Sequence, residues 1–215
     1  MQTTDAYPVR FRVDYPDRPL NRLTTFFRFF MLIPIGIVLS SIAGGSSSNT
    51  WTDPDTQKQI QTIVVSAGGL IIFAPLLMIL FRQKYPRWWF DWNLELQRFM
   101  TRVGVYAALM DDRYPSTDEA QSVQLDWDYP DVPRDLNRFL PLVKWLLAIP
   151  HWIVLFFLHI ALFFAVIVAW FAILFTGRYP RGIFTFVEGV FRWDLRVMAY
   201  AVTMVTDAYP PFSLD

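Results

Sequence analysis

Three long apolar runs punctuate the chain, and between them the pattern shifts to shorter alternating and helical periods. No charge lies between Arg28 and Asp53, and Leu23 to Ala43 is almost wholly apolar, close to the ~20 residues that cross ~30 Å of hydrocarbon. A second run, Ile63 to Phe81, is equally charge-free and stops at Arg82. Both predict spanning helices. The third, Trp145 to Phe175, would measure ~46 Å as one helix, too long for one span without extreme tilt. It reads as a tight hairpin turning near His159, although no Gly, Pro or Asn marks the turn; a three-span chain is the alternative.

Each half of the chain opens on alternation. Val9, Phe11 and Val13 oppose Arg10 and Arg12, and Val123, Leu125 and Trp127 repeat the pattern, which has the period of a half-buried strand. The two strands are expected to pair and, because an isolated pair is marginal in water, to lean on the helices or a neighbouring subunit. The Tyr-Pro steps that follow cannot continue a ladder and mark corners. Trp88 to Met110 and Phe184 to Val205 then take a helical period. In the first, Trp88, Trp89, Trp92, Leu96 and Phe99 share an apolar arc, while Asp91, Glu95, Arg98 and Arg102 form a charged stripe. Glu188, Arg192 and Arg196 repeat that stripe in the second. Such helices fit the membrane interface. Apolar surface beyond the stripe, through Phe90, Leu94 and Val105, points to burial against another protein surface and so to oligomerisation.

These elements come in two copies. Val9 to Asp17 returns as Val123 to Asp131, Asn21-Arg22 as Asn137-Arg138, Pro34 as Pro150, and Tyr85-Pro86-Arg87 as Tyr179-Pro180-Arg181. Arg98, Arg102 and Tyr106 fall on Arg192, Arg196 and Tyr200 without a gap. The expected fold is an all-α membrane protein with four spans and two interfacial helices. Its duplicated unit is a transmembrane hairpin plus an amphipathic helix, with a small cytoplasmic two-strand β element. Residues 1–115 form the first repeat and 116–215 the second, in the same orientation about a pseudo-twofold axis.

Composition supports membrane residence: 54% hydrophobic, 18% aromatic and 18% charged residues, against roughly 25% charged in an average soluble domain. Lys+Arg and Asp+Glu both number 19, so net charge gives no reason to expect a nucleic-acid partner. Arg10, Arg12, Arg18 and Arg22, then Arg82, Lys84 and Arg87, then Arg178 and Arg181 flank the runs, whereas Gly44 to Thr62 holds only Lys58. That asymmetry places both termini on the cytoplasmic side of a multi-pass protein. A polar stretch precedes the first run, which is therefore expected to be an uncleaved anchor. The absence of cysteine excludes disulfides, thiolate nucleophiles and iron-sulfur clusters.

The duplicated Asp-Tyr-Pro-Asp with Asn-Arg downstream, Ala148-Ile149-Pro150-His151, and the run from Ala169 to Arg181 resemble a bacterial membrane-protein family known as domain of unknown function 4389. Asp207-Ala208-Tyr209-Pro210-Pro211-Phe212 also resembles that family's ending. The resemblance extends over nearly the whole chain and implies residence in the bacterial inner membrane. It brings no activity and no catalytic residue. His159 departs from it, a small residue being expected there.

Candidate chemistry is sparse. His151 and His159 are the only histidines, and their spacing is not the i, i+4 pair of a helical metal site. Interfacial hydrogen bonding for His151 and a turn or interhelical contact for His159 outweigh ligation. Apart from Arg28, near the start of the first, no Asp, Glu, Lys or Arg lies inside a proposed span, which argues against a transporter or proton relay. The arginines at 98, 102, 192 and 196 admit three readings: pairing with their own acids such as Glu95 and Glu188, closing an interface, or contacting anionic lipid. No hydrolase, phosphate-loop or dinucleotide motif is present, so no catalytic residue, metal or cofactor is expected. The sequence therefore favours a structural or accessory membrane protein that self-assembles or joins other membrane subunits. An oligomeric pore at the repeat interface is the alternative.

Overall fold

A computed structural model describes residues 7–43, 46–52, 59–65, 74–117, 119 and 121–215. β1 (Val9–Val13) pairs antiparallel with β4 (Val123–Trp127), Val9 opposite Trp127 and Val13 opposite Val123. Alternation turns Val9, Phe11, Val13, Val123, Leu125 and Trp127 inward and leaves Arg10, Arg12, Gln124 and Asp126 exposed. This is the pairing the period of two predicts.

Beneath the sheet lie two helices, α4 (Arg87–Ala107) and α7 (Arg181–Ala201), of 21 residues each. Both start directly after an extended Tyr-Pro step, because proline's missing N–H costs nothing where a helix begins. β4 packs on α4 and β1 on α7. On the far side α6 (Pro141–Thr176) lies along α7, α1 (Arg22–Phe26) meets α6, and α2 (Arg28–Ala43) meets α4. The layers are therefore a sheet with charges outward, two amphipathic helices, and a third layer of strongly apolar helix.

That third layer departs from the expected four spans and duplicated hairpin. The first apolar run breaks at Phe27 into α1 and α2. At 16 residues, α2 reaches only ~24 Å, short of ~30 Å of hydrocarbon. In the second run, residues 63–65 end a strand, 66–73 lie outside the described residues, and α3 (Ala74–Leu77) passes into a π turn, Met78–Arg82. Within the loop expected at Gly44 to Thr62, β2 (Ser46–Thr52) pairs with β3 (Gln59–Val65). The architecture is thus not all-α.

The third run is one helix of 36 residues with no reversal near His159. Nothing in its sequence breaks a helix there, and bilayer thickness alone suggested a turn. The chain reverses instead at Gly177, whose φ of +74° closes α6 with a left-handed residue, a conformation glycine adopts without the Cβ clash other residues meet. Four spans are not present among the described residues, where α6 alone is long and apolar enough to cross a membrane.

Hydrogen bonds between the halves recur in matched pairs. Tyr15 Oη donates to the Tyr179 carbonyl and Tyr129 Oη to that of Tyr85, both at 2.5 Å. Tyr85 Oη in turn donates to Thr203 O at 2.7 Å and Tyr179 Oη to Ala108 O at 3.2 Å. Arg22 reaches the Phe175 carbonyl at 3.3 Å while Arg138 reaches that of Leu80 at 2.6 Å. Each half thus latches the backbone of the other.

Candidate functional site

The stripe arginines sit where the amphipathic helices meet the strands and the C-terminal segment. Arg98 donates from Nε to Leu125 O of β4 at 2.8 Å and holds Glu95 at 2.5 Å and Asp126 at 2.7 Å. Arg192 repeats this on β1, donating to Phe11 O at 3.3 Å, to Leu214 O at 2.8 Å and to Glu188 at 3.1 Å. Glu188 also accepts from the Val13 amide at 3.1 Å. Arg102 and Arg196 donate to main-chain oxygens rather than to acidic side chains: Ser116 O at 2.8 Å for the first, Ser213 O at 3.4 Å and Asp215 O at 2.5 Å for the second. Phe90, Leu94 and Val105 are buried within the chain, Phe90 lying edge-on to Trp127 and Tyr129. These three residues are therefore covered within the chain, while Trp88, Trp92 and Met100 of α4 stay exposed.

The two histidines lie apart along α6. His151 is buried, accepts the Trp193 indole N–H at Nδ1 (3.1 Å) and stacks on Phe212 with centroids 4.0 Å apart. His159 places Nδ1 at 2.7 Å from its own helix's Leu155 carbonyl and Nε2 at 2.9 Å from Asp194 on α7. Burial pushes the Asp194 carboxyl up to about 6, the facing imidazole partly opposing the shift. The sequence excluded ionisable groups from the apolar run, so a carboxylate arriving from the neighbouring helix was not visible in it. Among the described residues no three His, Cys, Asp or Glu side chains gather as a metal site would require.

Sequence reasoning also missed two buried cations. Arg28 and Lys144 stand at matching positions of the repeats, six residues before Pro34 and Pro150, and only 3% and 0% of their surface is exposed. Lys144 Nζ donates to Thr206 O at 2.8 Å, meets Asp207 Oδ1 at 2.7 Å as a close ion pair, and lies 5.1 Å from the Tyr200 ring centre. Arg28 donates from Nη1 to Asp111 O at 2.7 Å and Tyr106 O at 3.2 Å, its guanidinium 3.9 Å from the Tyr106 ring centre. The available signal was their place in the repeat: a lone cation recurring at the same edge of both apolar runs.

The largest chemical feature is the outer face of the third layer. One stripe of α6, through Lys144, Ala148, His151, Leu155, Ala169 and Ile173, is buried. The rest presents Ile153, Phe156, Phe157, Phe163, Phe164 and Phe171 outward, and only 11% of its most apolar 18 residues is buried. Phe26, Phe29, Phe30, Ile33 and Ile37 of α1 and α2 are exposed as well. A soluble monomer rarely exposes contiguous apolar surface beyond a few hundred Å². This face has the chemistry of a surface that meets lipid or another apolar surface.

Residues 141–213 match the model of a protein family described as a domain of unknown function, DUF4389. The matched stretch runs from α6 through the C-terminal segment that carries Asp207 and Phe212. No curated protein and no solved structure matches the chain.

Proposed function

We propose that this chain, carrying the DUF4389 domain in its second half, is a non-enzymatic structural or accessory membrane protein that works by holding an apolar helical face in the bilayer. The observation that carries the reading is α6: 36 residues, no charge from Trp145 to Phe175, and most of its circumference exposed. At ~54 Å it exceeds the ~30 Å of hydrocarbon, so it lies steeply tilted with the sheet and amphipathic helices to one side. Tyr7 Oη donates to Ala208 O at 3.1 Å, and this proximity supports both termini sharing a side. The Lys and Arg distribution supports a cytoplasmic assignment for that side, and the resemblance of the sequence to a bacterial membrane-protein family supports the inner membrane.

Packing with other membrane subunits, or with copies of itself, would use what remains of the same apolar face. The pore reading draws no support from Arg98 or Arg192, which are spent on β4 and β1. Extraction into native nanodiscs followed by mass determination of the intact particle tests the accessory role. Stoichiometric companion subunits or a defined homo-oligomer is the expected result; a lone chain with lipid would remove the assembly part of the reading.

A further inference from the structure

The two buried cations are matched by position and differ in what closes them. Lys144 has its carboxylate in Asp207, and the Asn137 amide donates to the same side chain at 2.5 Å. The corresponding aspartate of the first repeat is Asp112, to which the Asn21 amide likewise donates, at 3.3 Å. Asp112 is taken by Arg18, and Asp111 by Arg113 at 3.0 Å and Ser122 at 2.6 Å. Arg28 is therefore left with backbone carbonyls on Nη1 and the Tyr106 ring against its face, while its Nε and Nη2 make no hydrogen bond although the side chain is almost wholly buried. Unpaired N–H groups of a buried guanidinium are costly, and such a group calls for an anion.

Arg28 also lines a cavity of about 310 Å³ that opens between α1–α2 and α6. The other walls are apolar apart from Thr25, with Phe26, Phe29, Leu32, Val166 and Trp170 among them. The one charge in this lining is the arginine, and the cavity opens within the exposed apolar face. We infer that the cavity is a binding site for an anionic phospholipid, whose phosphate is drawn to the Arg28 guanidinium at the cavity wall while an acyl chain runs along the aromatic surface of α2 and α6. Guanidinium presents parallel N–H donors to a phosphate, a geometry suited to bidentate pairing. The inference rests on the proposed membrane embedding, but a failed lipid titration leaves that embedding standing, because the exposed face does not depend on Arg28.

The test is native mass spectrometry of the full chain, delipidated in detergent and titrated separately with phosphatidylglycerol, phosphatidylcholine of the same acyl chains, and inorganic phosphate. One phosphatidylglycerol per chain should survive desolvation, with phosphatidylcholine and phosphate at least tenfold weaker. Arg28→Gln should weaken that adduct at least tenfold. Because Arg28→Gln disturbs a buried site and can cost folding, Val166→Phe provides the second arm: it fills the cavity, keeps the arginine and should produce the same loss. Equal retention of phosphatidylcholine overturns the proposal, as does wild-type phosphatidylglycerol binding in a folded variant. Inorganic phosphate binding as tightly as the lipid would make this a simple anion site and overturn it equally.

Discussion

Lys144 shows how a cation is held inside an apolar helix: a carboxylate, a carbonyl and an aromatic ring surround it at once. Removing one partner of such a buried pair leaves the other desolvated and unpaired. Lys144→Met should therefore cost about 3 kcal/mol, at the lower end of what breaking a buried ion pair costs, read as a fall in thermal stability in detergent. Combining it with Asp207→Leu should recover part of the loss, and a double variant as unstable as the single would show the pair to be unimportant. Asp194 offers a second readout. Its folded carboxyl titrates near 6, above the ordinary value of roughly 3.9 for an unfolded aspartate. Between those values the unfolded chain releases its proton first. Stability contributed by the protonated group is therefore complete below the lower value and lost as pH rises to about 6. Asp194→Asn should remove that falling component from a profile of unfolding temperature against pH; an unchanged slope would contradict the assignment.

Among the elements, those whose signals were local were legible. The strands β1 and β4 follow from alternation and the amphipathic helices from period and Tyr-Pro starts, their boundaries within a few residues of those expected. The apolar runs were not legible as elements, because hydrophobicity reports distance from water and says nothing of where a helix stops. α6 has no internal signal for a turn, and the reversal fell where Gly177 permits it. Gly177→Ala should cost about 1 kcal/mol through the strained positive φ, measured by chemical denaturation, and no loss would mean the turn relaxes freely. Of the candidate residues, Arg98 and Arg192 were found on the right face, yet their strand carbonyls are partners supplied by tertiary structure. Arg192, which bonds Phe11 O, Leu214 O and Glu188, should lose about 2 kcal/mol as Arg192→Met, given the worth of charged hydrogen bonds. Amide exchange in β1 should quicken in that variant, and unaltered protection there would contradict the latch.

At the scale of the whole molecule, the chain is polar at one end of its layer order and apolar at the other. Arg10–Asp128 and Arg98–Asp126 pairs mark the sheet side, and the phenylalanines of α2 and α6 mark the opposite side. Its duplication binds the layers together through matched tyrosines and arginines, while the two cavity-side cations differ in how they are closed. Composition pointed to a membrane; the placement of the exposed phenylalanines of α1, α2 and α6 on one outer face needed the fold. The chain has no cysteine, so spin labels can be placed singly at introduced cysteines, and the decisive measurement is their accessibility along α6 in lipid bilayers. Labels at Ile153, Phe157, Phe164 and Phe171 should be open to dissolved oxygen and closed to a water-soluble nickel chelate, with a label at Arg12 showing the reverse. Nickel access along those α6 positions equal to that at Arg12 would contradict the embedded face and the function built on it.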